Sequence, residues 1–427
     1  MTTGSQGGLA AVSEGQKRAS IISIGNELLS GRTVDTNAAY IAGRLRTIGI
    51  PVVSLYGVAD ELDAITSTLA RAVGEADILI LTGGLGPTDD DLTRQAIATF
   101  LGVELTLRQD LLEELRQFFA RRGFPMVQKN AVQACVPEGA TAITNESGTA
   151  PGIRADRGGK LLFAMPGVPR EMRHMLEMAI LPQLKRFGSG QAIVVRRLRC
   201  FGAGESTVAE MIGDAMQRGR NPLVNCTAHA GIITLEIVAA AGERDRAEAM
   251  ADSQERALRA VLGDLVYGTG DETLASVVGE RLASLSRFVA LAESCTGGLL
   301  AKLFTDAPGS SRYFTHGWVT YSNEAKNREL EVPQDMIDTY GAVSEQVARA
   351  MAQGARRRAG SDYAIGVTGI AGPGGGTEQK PVGLVYIAVG TQEDTNVSRH
   401  IFPFDRDSVR LRTAQTALNR LRLQLPR

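Results

Sequence analysis

Residues 76–84 read ADILILTGG, an apolar run without alternation that ends in a glycine pair. Such a run is typical of a strand that is buried on both faces, as in a parallel sheet covered by helices on each side. Two comparable runs, SIISIG (20–25) and LLFAMPG (161–167), lie before and after it, with helical periodicity between the runs. The alternation predicts a doubly wound α/β domain, in which the loops at the carboxyl ends of the strands share one crevice.

The pattern changes twice along the chain, which at 427 residues is too long for a single ordinary core. A shorter stretch of α+β pattern follows the first region, and strand–helix alternation then returns with FVALAES and DYAIGVTG. The predicted organisation is a flexible tail at 1–18, an α/β domain at 19–187, an α+β connector at 188–264 and a second α/β domain at 265–427.

Composition excludes several classes of protein. The formal net charge is −1, so the chain as a whole has no general attraction to nucleic acid or to anionic membranes. No apolar stretch approaches the roughly 20 residues of a membrane span, and the N-terminal segment lacks the apolar core of a signal peptide. The four cysteines show no CxxC spacing, so a structural zinc site is not expected. We therefore expect a cytoplasmic protein with free thiols.

The loop TGGLGPTDDDLTRQ (82–95) combines glycines with acidic side chains directly after the apolar run. The glycines would let a phosphate group approach backbone amides, and carboxylates at the start of a helix from about Asp91 could hold Mg²⁺ or Mn²⁺. A plain glycine turn followed by an acidic helix cap is the alternative, and no GxxxxGKS or GxxxxGKT phosphate loop occurs in the chain. The residues in question are Gly83, Gly84, Gly86, Asp89, Asp90 and Asp91.

Four other polar or glycine-rich stretches are expected at the same edge of the first sheet. Helix caps alone do not explain their convergence, which favours a site for phosphoryl chemistry. The stretches are GNELLSGRTVDTN (25–37), KNAVQACVPEGA (129–140), NESGTAPG (145–152) and MPGVPREM (165–172).

Together these motifs resemble the N-terminal domain of the CinA (competence/damage-inducible protein A) family, which is similar to the molybdopterin-binding fold. The resemblance implies a pyrophosphatase that uses Mg²⁺, Mn²⁺ or Co²⁺ and cleaves ADP-ribose to AMP and ribose 5-phosphate. Gln95 replaces a glutamate that is usual in the family, so activity is expected to be weak or lost if that glutamate is a ligand or base. The implied metal ligands are Glu27, Asp90 and Asp91, and the implied substrate-binding residues are Asn26, Asn37, Gly83, Gly84, Gly86, Asn145, Thr149, Pro166 and Gly167.

In the second α/β domain, AESCTGG (292–298) places Ser294 and Cys295 side by side where a strand is expected to turn into a helix. Cysteine is the better intrinsic nucleophile, but it would normally need a histidine base. His316 is near in sequence, but it begins its own strand and is expected at the opposite edge of the sheet. The pattern favours Ser294 as nucleophile and leaves Cys295 as a small packing residue.

A serine can hydrolyse an amide without histidine if a neutral lysine accepts its proton. Lys326, near the end of a neighbouring strand, could serve because burial lowers the pKa of a lysine. Tyr321 could relay the proton or orient the lysine, and the Thr296 and Gly297 amides at a helix N-terminus could stabilise the oxyanion. Taken singly, each of these residues is also explained as an ordinary surface or turn residue.

The stretches AESCTGGLLAKLFTD, GIAGPGGGTEQKPVG and FDRDSVR resemble the C-terminal domain of the CinA family. That domain is similar to nicotinamide-nucleotide amidase, which converts nicotinamide mononucleotide to nicotinate mononucleotide and ammonia. The resemblance implies no metal for this step, and it implies a homodimer. The implied catalytic residues are Ser294, Tyr321 and Lys326, and the implied substrate-binding residues are Thr368 and Arg406. We expect Thr296, Gly297 and Gly369 to complete the substrate site.

The connector resembles the KH-like segment of the same family, but it has no GXXG followed by a basic flank, so we interpret it as structural. Two alternatives to an enzyme stay open. One is a binding or regulatory protein linked to competence or DNA damage, with a degenerate N-terminal site. The other is nucleic-acid binding through arginines of the last helix, which are more simply its solvated face. These arginines are Arg410, Arg412, Arg420 and Arg422.

Overall fold

The computed structural model describes residues 16–426, and within this range no helix is both long enough and apolar enough to cross a membrane. The described residues up to Val195 form one compact unit with Ala239–Met250, and those of Arg196–Val238 and from Ala251 onward form a second. The strands are β1 (Ala19–Ile24), β2 (Val52–Val58), β3 (Ile78–Thr82), β4 (Leu105–Leu107), β5 (Cys135–Pro137), β6 (Thr141–Ile143), β7 (Gly152–Arg157), β8 (Lys160–Met165), β9 (Ala192–Cys200), β10 (Leu223–His229), β11 (Ile232–Ala241), β12 (Val266–Thr269), β13 (Val289–Glu293), β14 (Phe314–Val319), β15 (Tyr363–Gly369), β16 (Leu384–Gly390) and β17 (Thr395–Ile401). The helices are α1 (Asn26–Leu29), α2 (Thr36–Thr47), α3 (Leu62–Glu75), α4 (Thr93–Leu101), α5 (Gln109–Arg121), α6 (Pro169–Met175), α7 (Leu181–Leu184), α8 (Glu205–Ile212), α9 (Arg244–Leu262), α10 (Leu274–Ser284), α11 (Leu299–Thr305), α12 (Asn323–Leu330), α13 (Gln334–Tyr340), α14 (Glu345–Ala359) and α15 (Arg406–Gln424).

Most of the predicted tail at 1–18 lies outside the described residues. Its last two residues bond to the first domain. The Lys17 N–H donates to the Phe187 carbonyl at 3.1 Å, and the Arg18 carbonyl accepts from the N–H groups of Asp77 and Ile78. Lys17 and Arg18 therefore lead directly into β1 rather than belonging to a tail.

Six strands form the first sheet, in the order β2-β1-β3-β8-β7-β6. The pairs β1/β2, β1/β3 and β3/β8 are parallel, whereas β7 pairs antiparallel with both β8 and β6. The sheet is therefore mixed, and the doubly wound arrangement applies to its parallel part.

Two buried clusters of this domain explain the apolar run of β3. Ile78 and Ile80 pack in one cluster, whereas Leu79 and Leu81 pack in the other. Successive side chains of a strand project to opposite faces, so a strand covered on both faces has no polar position. The prediction of a buried parallel strand is confirmed here.

The connector sheet has the order β10-β11-β9-β12. Strands β10 and β11 form an antiparallel hairpin whose tip is Ala230 and Gly231, both in the left-handed region with φ of 47° and 85°. Alternate residues of β11 are buried, which agrees with the alternating polarity of its sequence. The carbonyls of this tip accept hydrogen bonds from Arg412 and Gln415 of the last helix.

The sheet of the C-terminal domain has the order β14-β13-β15-β16-β17. Strand β13 lies between two parallel neighbours, and β16 pairs antiparallel with β15 and β17. Val289 and Leu291 of β13 pack in one buried cluster, whereas Ala290 and Ala292 pack in another. The carboxyl ends of β13, β14 and β15 therefore meet at one edge of the sheet, as the sequence predicts.

Two helices at this edge do not start where the sequence predicts. Helix α11 begins at Leu299, after Gly298 in the left-handed region with φ of 90°, so residues 295–298 form a turn and not a first helical turn. The sequence DSVRLRTAQTALNRLRLQL predicts a last helix capped by Asp407 or Ser408, but α15 begins at Arg406, because the Asp405 side chain caps it. Both shifts change which backbone N–H groups are available at the site.

Candidate active site

Ser294 lies directly after β13, at the start of the turn that leads into α11. Its backbone N–H donates to the Val367 carbonyl of β15 at 3.0 Å, so the sheet holds its position. The turn then passes through Gly297 and Gly298, whose φ angles of 59° and 90° favour glycine. The strand end and the glycine pair explain why SCTGG occurs at this point.

Lys326 reaches Ser294 from a different element. It lies in α12, which is capped by the Ser322 side chain. Its Nζ lies 3.1 Å from Ser294 Oγ and also donates to the carbonyl oxygens of Thr320 at 2.8 Å and Tyr321 at 3.4 Å. The structure thus brings the predicted nucleophile and base together, although 32 positions separate them in sequence.

The surroundings of Lys326 favour its neutral amine. The side chain is 1% exposed, and burial lowers the pKa of the amine. Among residues 16–426, the hydrogen-bond partners of its Nζ are one hydroxyl and two backbone carbonyls, and none of them is a carboxylate. A neutral amine has two N–H groups and one lone pair, and the Thr320 and Tyr321 carbonyls accept the two N–H groups. The lone pair is then left for the hydroxyl proton of Ser294.

Cys295 is unsuited to be the nucleophile. It is 5% exposed within an apolar cluster, and burial raises the pKa of its thiol to about 12, so little thiolate exists at neutral pH. His316 pairs with Ala290, lies three residues before the end of β14, and stacks on Trp318 at 5.4 Å between ring centroids. Its position agrees with the prediction that it cannot act as the base for a cysteine nucleophile in this turn.

Iodoacetamide at mildly alkaline pH is expected to leave Cys295 unmodified in the folded protein, because the thiol is buried and protonated. The half-buried Cys135 serves as an internal comparison and should react faster. Peptide mass spectrometry of native and denatured samples measures both sites. Rapid modification of Cys295 in the native sample would reopen the choice of nucleophile.

The N-terminus of α11, where an anion site is expected from the sequence, already holds a carboxylate of the chain itself. Glu293 is 1% exposed, and its side chain accepts from the backbone N–H groups of Gly298, Leu300 and Ala301 at 3.0, 3.1 and 2.9 Å. The positive end of the helix dipole is therefore compensated inside the protein. Sequence analysis missed this role, although the glutamate directly precedes the predicted nucleophile.

The predicted oxyanion role of Thr296 and Gly297 does not agree with the geometry. The Gly297 N–H donates to the Ser294 carbonyl at 3.1 Å, and the Thr296 N–H interacts with the Cys295 sulfur. Thr296 is fully buried, and its Oγ1 has no hydrogen-bond partner among the described residues. The Gly297 amide closes the turn, and neither amide belongs to the helix, which starts later than predicted.

Tyr321 and Arg406 meet on the exposed side of the site. The Tyr321 side chain is 62% exposed, and its hydroxyl accepts from Arg406 Nη2 at 3.1 Å. Arg406 Nη1 donates to the Gly372 carbonyl in the glycine-rich loop at 2.6 Å. Lys326 contacts the backbone carbonyl of Tyr321 rather than its hydroxyl, so the predicted proton relay through the phenol does not agree with this geometry.

Thr368 and Gly369 end β15, beside the strand that carries Ser294. Thr368 is 1% exposed, and its Oγ1 donates to the Ala342 carbonyl at 2.8 Å. A Cβ at Gly369 would lie 2.7 Å from the Leu384 carbonyl oxygen, so the close approach of two strands requires glycine. Both predicted binding residues lie at the expected edge of the sheet. Contacts within the protein explain the hydroxyl at position 368 and the missing side chain at position 369.

The four arginines of α15 are not the solvated face that the sequence predicts. Each is half-buried or buried and donates to an acceptor elsewhere in the same compact unit. Because these bonds hold each guanidinium against the protein, the nucleic-acid alternative gains no support from them. The acceptors are the carbonyls of Thr296 for Arg410, Gly231 for Arg412 and Asp264 for Arg422, and the Asn396 side chain for Arg420.

In the first domain, a cleft with a volume of about 400 Å³ lies at the carboxyl edge of the sheet. Three asparagines implied by the family resemblance are not among its lining residues. Asn26 is exposed on α1, Asn37 donates to the Gly167 carbonyl at 2.8 Å, and Asn145 donates to the Ala150 carbonyl at 2.9 Å. The implied residues that do line the cleft are Glu27, Gly83, Gly84, Gly86, Asp90, Asp91, Thr149, Pro166 and Gly167.

Two glycines of the 82–95 loop already use their N–H groups. Gly83 donates to the Met165 carbonyl at 3.0 Å, and Gly86 donates to Asp91 Oδ1 at 2.8 Å. A Cβ at Gly83 would lie 2.1 Å from the Ile24 carbonyl oxygen, so glycine is required where the loop crosses the end of β1. Packing therefore explains part of the glycine pattern, as the alternative interpretation proposed.

The carboxylates of this cleft do not form a ready cation site. Asp91 accepts from two loop N–H groups and from the Thr88 hydroxyl. Asp91 therefore belongs to the loop, and α4 begins after it, at Thr93. Among residues 16–426, no group of three or more His, Cys, Asp or Glu side chains is arranged to hold a metal. The predicted ligand set of Glu27, Asp90 and Asp91 therefore does not fit a divalent cation in this arrangement.

Asp60 is a cleft residue that sequence analysis missed. It follows β2, and its side chain accepts from the Asn26 N–H at 2.7 Å. Burial raises the pKa of this carboxyl group, and the charges of Glu27, Asp90 and Asp91 raise it further. The cleft therefore concentrates negative charge without closing it into a coordination sphere.

Arg94 holds the glycine loop from inside the domain. It is 2% exposed, and its guanidinium donates to the carbonyls of Leu85 and Gly86. Burial lowers its pKa to about 10, and the charge of Asp91 partly opposes this effect. Gln95, the next residue, is exposed and is not among the residues that line the cleft. The sequence DDDLTRQ shows an arginine at this position, but it gives no sign that the side chain is buried.

Three family models match consecutive parts of the chain. Residues 20–186 match "Probable molybdopterin binding domain", residues 195–268 match "Damage-inducible protein CinA KH domain", and residues 271–425 match "CinA C-terminal domain". The predicted succession of a molybdopterin-binding-like α/β domain, a KH-like connector and a second α/β domain is confirmed.

Similar proteins extend over most of the chain. A CinA-like protein from Desulfovibrio desulfuricans is 45% identical over 373 residues, which cover 87% of each protein. A CinA-like protein from Dictyoglomus thermophilum is 40% identical over 95% of this chain and 98% of its own. Among solved structures, the competence/damage inducible protein CihA from Agrobacterium tumefaciens is 44% identical and covers 35% of this chain and 92% of its own, with a TM-score of 0.34. The molybdopterin biosynthesis enzyme MoaB from Thermus thermophilus is 26% identical and covers 40% of this chain and 92% of its own, with a TM-score of 0.28.

Proposed function

The chain belongs to the CinA family, and from that premise we propose that its C-terminal domain is a nicotinamide-nucleotide amidase. The reaction converts nicotinamide mononucleotide and water to nicotinate mononucleotide and ammonia, a step of pyridine nucleotide salvage. The observation that carries the proposal is the buried pair of Ser294 Oγ and Lys326 Nζ, 3.1 Å apart, in which burial lowers the pKa of the amine. A serine with such a base can cleave an amide without a metal.

In the proposed reaction, Ser294 Oγ attacks the carboxamide carbon while its proton passes to Lys326 Nζ. The C–N bond then breaks, and the amino group takes that proton and leaves as ammonia. Water next attacks the ester on Ser294, again giving a proton to Lys326, which returns it to the serine oxygen as nicotinate leaves. The two carbonyls that accept from Nζ hold its remaining position towards the serine, which is a lone pair in the neutral amine and an N–H group once the proton has been transferred.

Arg406 is proposed to bind the 5′-phosphate of the substrate. Its guanidinium is exposed at the first position of α15 and donates to two neutral groups, the Gly372 carbonyl and the Tyr321 hydroxyl. A guanidinium bonded to neutral acceptors keeps its charge available for a phosphate. The proposed binding roles of Thr368 and Gly369 are then to shape the edge beside it.

Ammonia release by the purified full-length chain, without added metal, tests the amidase proposal. Release that is lost in Ser294→Ala would support it. A folded wild-type protein that releases no ammonia would remove it, and would favour the alternative of a binding or regulatory protein linked to competence or DNA damage. The homodimer implied by the family resemblance and the cytoplasmic location stay predictions.

We also propose that the N-terminal domain binds ADP-ribose and hydrolyses it weakly to AMP and ribose 5-phosphate. Support comes from the cleft of about 400 Å³ at the strand ends, which collects most of the residues implied by the family resemblance. Mg²⁺, Mn²⁺ or Co²⁺ would find no ready ligand set among the described residues, so we derive no catalytic step through a metal.

Gln95→Glu is expected to change the rate of ADP-ribose hydrolysis by less than about twofold, because position 95 is exposed and does not line the cleft. AMP formation, measured with and without each of the three cations, checks this expectation. Asp60→Asn is the comparison within the cleft, because Asp60 lines it, and it should change the rate more than Gln95→Glu does. A large gain in the Gln95→Glu variant would show that position 95 reaches the reacting groups after all.

A further inference from the structure

We propose that Arg410 is a positioning residue for Ser294, a role that rests on the amidase activity proposed above. Arg410 lies in the second turn of α15, and its Nε and Nη2 both donate to the Thr296 carbonyl, at 3.2 and 2.9 Å. Thr296 lies two residues after Ser294, in the middle of the turn 294–298. Two N–H groups from one rigid guanidinium restrict the direction of that carbonyl more than a single donor would.

The same turn is held at its far end by Glu293. The Glu293 carboxylate accepts from the N–H groups of Gly298, Leu300 and Ala301. Between the two anchors the chain passes through Gly297 and Gly298, which have no side chain to restrict the backbone. The shape of the turn therefore depends on its anchors, one acidic and one basic.

Other interactions do not replace Arg410. The Thr296 carbonyl accepts one further bond, from the Leu299 N–H at 3.2 Å, and the Thr296 hydroxyl has no partner among the described residues. The carboxylate that pairs with Arg410 is Asp407, at 3.6 Å with its side chain 91% exposed, so water screens that pair. The bonds to Thr296 are therefore the interaction that gives Arg410 a defined place.

By holding the turn, Arg410 is proposed to fix the distance between Ser294 Oγ and Lys326 Nζ. Proton transfer needs the hydrogen-bond distance of 3.1 Å, which holds only while the turn keeps its shape. Without Arg410, the serine hydroxyl should sample positions away from the amine. In this role Arg410 does not touch the substrate, so its loss should lower kcat and leave KM nearly unchanged.

The test uses full-length Arg410→Ala and Arg410→Lys. We expect Arg410→Ala to lower kcat for ammonia release roughly 10- to 100-fold, and added guanidinium ion to restore part of the rate. The kcat of Arg410→Lys should lie between those of Arg410→Ala and the wild type. An ammonium keeps the positive charge but lacks the paired N–H groups of a guanidinium. Arg420→Ala is the matched control in the same helix, since its partner is the Asn396 side chain, and it should keep the wild-type rate.

A second readout does not depend on the natural substrate. A fluorophosphonate probe reacts when Ser294 Oγ bonds to phosphorus, fluoride leaves, and the hydroxyl proton passes to Lys326. Intact-protein mass spectrometry follows the labelling rate, which Arg410→Ala should slow by a factor similar to that on kcat. A wild type that is labelled but does not hydrolyse nicotinamide mononucleotide would overturn the substrate assignment, and the labelling rates would still decide the role of Arg410.

The proposal is overturned if Arg410→Ala, with an unchanged melting temperature, keeps the wild-type kcat and labelling rate. It is also overturned if KM alone rises, since Arg410 would then bind the substrate directly. If Arg410→Ala does not fold, Arg410→Lys and Arg410→Gln supply the same comparison. A wild type that is neither active nor labelled would remove both the amidase and the positioning role.

Discussion

Ammonia release from nicotinamide mononucleotide is expected to fall at least about 1000-fold when Ser294 is replaced by alanine. The substitution removes one oxygen, the one that lies 3.1 Å from Lys326 Nζ. The backbone of residue 294 stays bonded to the Val367 carbonyl, so the fold of the turn should survive. Initial rates from a coupled ammonia assay, recorded together with thermal denaturation curves, check both parts of this expectation.

Cys295→Ala is the matched control, because it changes the neighbouring residue of the same turn. The thiol is buried, with its pKa raised to about 12, so its loss should leave the rate within a few-fold of wild type. The reverse outcome, activity kept in Ser294→Ala and lost in Cys295→Ala, would make the cysteine the nucleophile. Activity kept in both variants would place the reaction outside this turn.

Lys326→Met is expected to abolish ammonia release and to remove a pH dependence from the stability of the protein. A thioether cannot accept the serine proton, so the first step loses its base. Methionine has a similar length and suits a site that is 1% exposed, so the variant should remain folded. Lys326→Arg should also be inactive, because a guanidinium does not become neutral in a protein.

The direction of the pH dependence follows from the lowered pKa of Lys326. In the unfolded chain this amine titrates near 10.5, whereas burial lowers the pKa in the folded state. Between the two values only the unfolded state binds the proton, so the free energy of unfolding rises with pH from the folded pKa to 10.5 and levels off below the folded pKa, where both states are protonated. The rate constant kcat/KM should rise through the same folded pKa as the neutral amine forms.

Chemical denaturation at several pH values and a pH–rate profile measure these two effects together. The difference in unfolding free energy between Lys326→Met and wild type should change in favour of the wild type as pH rises. Lys302→Met is the control, since Lys302 is exposed and pairs with Asp306, and it should shift neither profile. An active Lys326→Met variant would show that another group accepts the serine proton.

The order of strands and helices could be predicted because the pattern of polar and apolar residues along the chain indicates which side chains are buried. Strands β3 and β13 alternate between two buried clusters, so their apolar runs indicate helices on both sides. Parallel strands end at one edge, so the segments that carry Ser294 and Lys326 could be expected to meet there. The 3.1 Å contact itself could not, because it depends on where α12 starts and on how the lysine turns back towards β14.

The use of each donor and acceptor was decided only in the folded chain. The amides of Gly83, Gly86 and Gly297 suggested free anion sites, but each donates to a carbonyl or carboxylate of the protein. The Arg410 side chain suggested a solvated helix face, but it bonds to a carbonyl 114 positions away. Hydrogen bonds are short and directional, so their partners depend on atoms that distant segments bring together. Local polarity and periodicity indicate which residues are buried, but they do not specify where the hydrogen-bonding atoms of distant segments lie.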